Sequence, residues 1–123
     1  VFSYDTYKNP HSGIEVYPGS SHAIVRRNVS YGNGDHGLDG LNSPGYSVVG
    51  NTVVGNATAG INLEGTIGGT GCSGAVVANN VSSDNGVGST RTRSDIRLDP
   101  TSLPGALVNR NVVFRTDGGA LYE

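Results

Sequence analysis

Side chains able to do chemistry are sparse in this sequence, and they recur at a regular interval. Asp35 and Asp39 flank His36 in Asp35-His36-Gly37-Leu38-Asp39, and His11, Glu15 and Tyr17 stand about one interval earlier. Asn62 and Glu64 follow in Gly60-Ile61-Asn62-Leu63-Glu64, and then come Arg91, Arg93 and Arg97. The interval is a true period. Gly13 to Gly37 is 24 residues, Gly37 to Gly60 is 23, and Asn28 to Asn51 is again 23. A fixed period in this range predicts a solenoid, in which each repeat buries its apolar face against its neighbours.

The elements that must position these residues are short strands. Each period opens with one: Gly13-Ile14-Glu15-Val16, Gly37-Leu38-Asp39-Gly40, Gly60-Ile61-Asn62-Leu63 and Asp95-Ile96-Arg97-Leu98. Alternation puts Ile14, Leu38, Ile61 and Ile96 inside, with Glu15, Asp39, Asn62 and Arg97 outside. A second strand follows a turn (Ala23-Ile24-Val25, Ser47-Val48-Val49, Ala75-Val76-Val77, Ala106-Leu107-Val108), and a third follows an Asn (Val29-Ser30-Tyr31, Thr52-Val53-Val54, Val81-Ser82-Ser83, Val112-Val113-Phe114). No segment shows a helical apolar period. Three short strands per period predict an all-β parallel β-helix of about four to five coils in one domain, residues 1–123, with coils at about 11–34, 35–58, 59–89 and 94–116. Val1-Phe2-Ser3-Tyr4 reads as the third strand of an incomplete coil, and Gly118 to Tyr122 as the opening strand of a fifth. The chain therefore reads as a segment of a longer solenoid, able to associate end to end.

Asn28, Asn51, Asn80 and Asn111 fall at one corner of successive coils, where stacked amides can bond along the axis. Insertions lengthen two turns, Glu64 to Gly74 and Gly86 to Ser94, and the second is expected to overhang the outer face of the fourth coil's first strand. Asn56-Ala57-Thr58 is a glycosylation sequon; Asn28 and Asn80 also match the sequon but turn inward.

Stacking sets equivalent residues about 4.8 Å apart. Glu15, Asp39, Asn62 and Arg97 then form one outward column, and Tyr17, Leu41, Glu64 and Asp99 a second beside it. Two carboxylates one coil apart repel unless a cation or a proton separates them, which makes Glu15, Asp39 and Asp35 candidate ligands for calcium. The null alternative is a solvated acidic face. Arg97 reads either as a clamp on a substrate carboxylate, helped by Arg91 and Arg93, or as the partner of Asp95 or Asp99. A transition-metal set of His11, His36, Asp35 and Asp39 is disfavoured, because adjacent side chains diverge in extended chain. His22 reads as a turn residue, and Cys72, without a nearby His, as an incidental thiol.

The totals bound the rest. The chain has 123 residues, 20 of them Gly, and a net charge of −2. Gly in a globular chain is usually roughly 7%, and here it punctuates Val/Ile/Leu runs as turns do. No basic run suggests nucleic acid. No apolar stretch reaches membrane-span length, and no signal segment is present.

With its Gly-Ile-X-Val strands, Asn corners and coil length, the chain resembles the right-handed parallel β-helix proteins of the pectate-lyase-like superfamily. That resemblance implies a long sugar-binding groove on one outer face, usually an extracellular setting, and often calcium for acidic substrates. Asp35-His36-Gly37-Leu38-Asp39 also looks like the Asp-Asp-Gly-aromatic-Asp calcium motif of the family 9 pectate lyases. Asp35 and Asp39 match it; His36 and Leu38 depart from it, and Asn62 stands where the family's lysine base is expected. Two function classes follow. One is a lyase-like enzyme on an acidic polysaccharide, with Asp35, Asp39 and Glu15 holding calcium, Arg97 near the reacting sugar, and Tyr17, Asn62, Glu64, Arg91 and Arg93 contacting it. The other is a non-catalytic β-helix that binds glycans or spaces other domains.

Overall fold

A computed structural model describes residue 1 and residues 5–123. The strand read at Val1 to Tyr4 lies outside the described residues apart from Val1, whose amine donates to the Ile24 carbonyl at 2.8 Å. In chain order the strands are β1 (Asp5–Tyr7), β2 (Ile14–Val16), β3 (Ile24–Arg26) and β4 (Val29–Tyr31). The second coil gives β5 (Leu38–Leu41), β6 (Ser47–Val49) and β7 (Thr52–Val54). The third gives β8 (Ile61–Glu64), β9 (Val76–Ala78) and β10 (Val81–Ser83), and the fourth β11 (Ile96–Leu98), β12 (Leu107–Asn109) and β13 (Val112–Phe114).

All pairings are parallel, in three sheets ordered β2-β5-β8-β11, β3-β6-β9-β12 and β1-β4-β7-β10-β13. The register is the one the period predicts: Ile14 pairs with Leu38, Leu38 with Ile61, and Ile61 with Ile96. The fifth-coil opening strand appears a little late. Tyr122 bridges Ile96, and Glu123 exchanges backbone hydrogen bonds with β11.

Two corners of each coil share one device. The residue before the corner Asn takes a left-handed backbone: Arg27, Gly50, Asn79 and Arg110 at one edge, Lys8, Gly32, Gly55 and Asp84 at the other. The chain turns sharply there, and the following Asn points inward. At the first edge Asn51 donates its N–H to the Asn80 side-chain oxygen at 2.9 Å and its amide to the same oxygen at 3.0 Å, while Asn28 does the same to Asn51 and Asn80 to Asn111. This is the expected ladder. A second one, Asn9-Asn33-Asn56-Asn85, runs along the other edge with the same geometry. Its signal was present as Asn-x4-Asn, since Asn33, Asn56 and Asn85 each stand five residues after a rung of the first ladder. Asn56 is thus a buried rung, and its sequon is no more accessible than those at Asn28 and Asn80.

The second ladder ends differently. Gly13, Gly37 and Gly60 sit beside its rungs, and a Cβ on Gly60 would come within 2.5 Å of the Asn85 amide. In the fourth coil Asp95 takes that column's place, and its carboxylate receives the Asn85 N–H at 3.1 Å and the Asn85 amide at 2.7 Å. One aspartate serves as the last rung. Arg115, buried behind it, lies 3.5 Å from its second oxygen and 2.8 Å from Asp117.

The core is a stack of columns. Ile14, Leu38, Ile61 and Ile96 form one, and Val25, Val48 and Val77 another. A size exchange marks the second coil. Tyr46 stands where the other coils have Ala23, Ala75 and Ala106, and Gly40 where they have Val16, Leu63 and Leu98. Tyr46 is wholly buried, and a Cβ on Gly40 would meet its ring at 2.6 Å.

Two outcomes test this packing. Asn51→Ala strands the Asn28 donors on one side and takes a donor from the Asn80 oxygen and the Val25 carbonyl on the other, and should lower stability by on the order of 1–3 kcal/mol; an unchanged melting midpoint would contradict the ladder's role. Gly40→Val overpacks, and Tyr46→Ala opens a cavity, each costing roughly 1–5 kcal/mol. The double variant should be more stable than the sum of the two losses implies, and strict additivity in denaturant melts would contradict the exchange.

Candidate functional site

Strands β2, β5, β8 and β11 carry the expected column, with Glu15 beside Asp39, Asp39 beside Asn62, and Asn62 beside Arg97, but Asn62 lies wholly buried beneath its neighbours and only Glu15 is exposed. Bonds along the stack tie it together. Asn62 donates its amide to Asp39 at 2.9 Å and accepts from Arg97 at 2.7 Å. Arg97 also bonds Glu64 at 3.0 Å and lies 3.9 Å from Glu123. Its partners are therefore neither Asp95, which ends the Asn ladder, nor Asp99. The Asp99 carboxylate caps its own turn, accepting from the Thr101 hydroxyl at 2.6 Å and the Ser102 N–H at 3.0 Å, and takes the Gly65 N–H at 2.9 Å. A guanidinium closed on Glu64 is not an open clamp for a substrate carboxylate.

The second column begins with two apolar side chains. Tyr17 is 61% exposed and Leu41 half-buried, before Glu64 and Asp99. A hydrogen bond to Glu15, with that residue's charge, raises the Tyr17 hydroxyl above its ordinary pKa. Burial pushes the Asp39 carboxyl up; Asn62 and His36 pull it down, and the charges of Glu64 and Glu15 push it up again, leaving it raised. Burial is the main cause of this shift, and the repulsion expected of stacked carboxylates adds a smaller part.

Asp35 faces other partners. It accepts from the Thr58 hydroxyl at 2.8 Å and from Arg91 at 3.1 Å, and His36 lies 3.7 Å away. Burial opposes its ionisation, but Thr58, His36 and Arg91 outweigh that and hold the carboxyl below its ordinary range. His36 is buried, with Nδ1 2.8 Å from the Thr58 hydroxyl and 3.3 Å from the Ala59 carbonyl. The loop at residues 86–94 makes this corner. Arg91 reaches the second coil, and the Thr92 hydroxyl accepts the Ala59 N–H at 3.2 Å. The loop folds back over coils two and three instead of overhanging β11, because its cation has its counter-charge there. Arg93 bonds its own loop at the Ser89 carbonyl.

The calcium expectation needs Asp35, Asp39 and Glu15 to turn toward one point. Asp35 is spent on Thr58 and Arg91, and Asp39 takes its hydrogen bond from Asn62. Among the described residues no three His, Cys, Asp or Glu side chains gather as a metal-binding group. Asp35 and Asp39 are thus each held by their own hydrogen-bond partners in this arrangement. His11 lies exposed on the first coil, His22 is a left-handed turn residue, and burial raises the Cys72 thiol pKa, which leaves it unreactive.

The other long turn, residues 65–71, is anchored at both ends. The Asn42 side-chain oxygen accepts the Thr66 and Gly71 N–H groups at 3.3 and 3.2 Å, and its amide bonds the Thr66 hydroxyl at 2.7 Å. Ile67 stands fully exposed at its tip, beyond the Tyr17–Leu41 column. Asn42 carried no signal of this role in the sequence beyond its place after the strand. Among the described residues the surface has no enclosed cavity. The site is an open face: a hydrogen-bonding column beside an apolar one, with a loop at either side.

Three parallel sheets wound in repeated coils define a parallel β-helix. The family model for the right handed beta helix region matches residues 1–122, and the chain belongs to that family. Comparison with curated proteins and with solved structures gives no match.

The Asp99 cap carries a pH signature. Burial opposes ionisation, yet the bonds from Thr101, Gly65 and Ser102 hold the carboxyl below its ordinary range. A depressed folded-state pKa contributes stability above the unfolded value and loses it as pH falls through the folded one. Asp99→Asn should therefore melt earlier than wild type near pH 7 (about neutral), and the gap should close in acid, below roughly pH 4. A gap that stays constant from neutral to acid pH would show that the charge contributes nothing.

Proposed function

We propose that this chain is a glycan-binding segment of a β-helix, using the outer face of β2, β5, β8 and β11, and that it does not perform lyase chemistry itself. The observation that carries the reading is the pairing of two columns on one face. Glu15, exposed, and Asp39, half-buried beside it, offer acceptors at the spacing of the strands, about 4.8 Å. Tyr17 and Leu41 offer apolar surface beside them. A pyranose has the same duality, with hydroxyls around its rim and C–H groups on its faces. An aromatic ring supplies large contact area with a polar tip.

The non-catalytic half of the reading rests on Asn62. An amide cannot act as a base, and both of its ends are committed, to Asp39 and to Arg97. An enzyme acting on an acidic polysaccharide needs a base and an open cation near the reacting sugar. Arg97 is closed by Glu64.

Affinity electrophoresis through gels carrying a panel of neutral and uronate polysaccharides tests the reading. Wild type should be retarded by at least one polymer, and Tyr17→Ala should weaken that binding roughly tenfold. No retardation by any polymer would overturn glycan binding. Release of unsaturated sugars, seen as rising ultraviolet absorbance, would overturn the non-catalytic half.

A further inference from the structure

The charges on this face go further than glycan binding and bear on which glycans it admits. Resting on the reading above, we infer that the face selects uncharged glycans and excludes uronates, because the guanidiniums beside it already lie against the protein's own carboxylates, the carboxylates outnumber them, and Glu15 stands exposed.

Among the described residues six carboxylates line the face and its edges (Glu15, Asp35, Asp39, Glu64, Asp99 and Glu123), against Arg91 and Arg97. Arg97 donates to Asn62 at 2.7 Å and Glu64 at 3.0 Å, with Glu123 at 3.9 Å. Arg91 is held on Asp35 at 3.1 Å. Arg93 bends to the Ser89 carbonyl, and Arg115 is buried between Asp95 and Asp117. A sugar carboxylate approaching Arg97 or Arg91 meets the carboxylate that each already pairs with. Its attraction to the cation is offset by repulsion from that neighbour.

Asp39 receives its hydrogen bond from a neutral amide and Glu15 from the Tyr17 hydroxyl, and among the described residues no guanidinium is bonded to either. Ionised carboxylates accept hydrogen bonds and cannot donate them. Sugar hydroxyls can satisfy both. A uronate unit would bring a like charge to the same spot on every ring, and at close range the two charges repel until salt screens them. The fixed Asn62 amide sharpens the discrimination. Its side chain is wholly buried, with the amide on Asp39 and the oxygen on Arg97, so it presents no donor to an incoming carboxylate.

Binding of a neutral polymer (xylan or galactan) and of polygalacturonate should be measured side by side at low and high salt. Wild type should bind a neutral polymer, with polygalacturonate at least roughly tenfold weaker at low salt, and the gap should narrow as salt screens the face. Glu15→Gln with Asp39→Asn should move the two ligands in opposite directions, weakening the neutral polymer and strengthening the uronate. Circular dichroism verifies that this variant is folded, and the salt dependence of wild type stands as evidence if it is not. Uronate binding equal to or tighter than neutral binding at low salt would overturn the selectivity and leave glycan binding intact. Failure to bind either class would retire the glycan reading and this inference together.

Discussion

The structure depends on one repeated constraint: a buried backbone N–H at each sharp corner must find an acceptor in the next coil. A left-handed residue turns the chain, and the Asn after it supplies the acceptor and donates onward. Because each rung bonds through the same atoms, the ladder fixes coil against coil at two edges, whatever the turns between them do. Asn56 to Asn85 spans 29 residues, Asn33 to Asn56 only 23, and the bonds are alike. The extra residues are expelled into loops, and those loops flank the polar face.

The fold was legible from period and alternation, which are properties of the repeat as a whole. Inward Ile14, Leu38, Ile61 and Ile96 followed from strand alternation alone, as did the column of Glu15, Asp39, Asn62 and Arg97. The second Asn ladder was equally visible as a five-residue spacing within each coil, but it hides among turn residues that look interchangeable. Asp95 could not be read. Its role comes from a column in which the other coils have glycine, so its environment is set by what its neighbours lack.

The site was only half legible, for a physical reason. Stacking tells which residues share a column and says nothing about where a long side chain ends. Arg97 reaches back along the stack to Glu64 in the neighbouring coil, and Arg91 across to Asp35 in the second, choices settled by competing carboxylates far apart in sequence. Asp35 and Asp39 looked like a pair because they are near in sequence. In the folded chain a corner separates them, and each answers to a different neighbour. Thr58, which bridges Asp35 and His36, gave no sign of itself.

Tyr46 and Gly40 bear on how such a chain finds its alignment. Coils built to one pattern can pair one step out of place, since every column offers similar Val, Ile and Asn partners. A slip that moved Tyr46 to a neighbouring coil would drive its ring against Leu63 or Val16, where no glycine makes room. The exchanged pair gives the second coil an address, and mispaired intermediates that ignore it are penalised before the stack is complete.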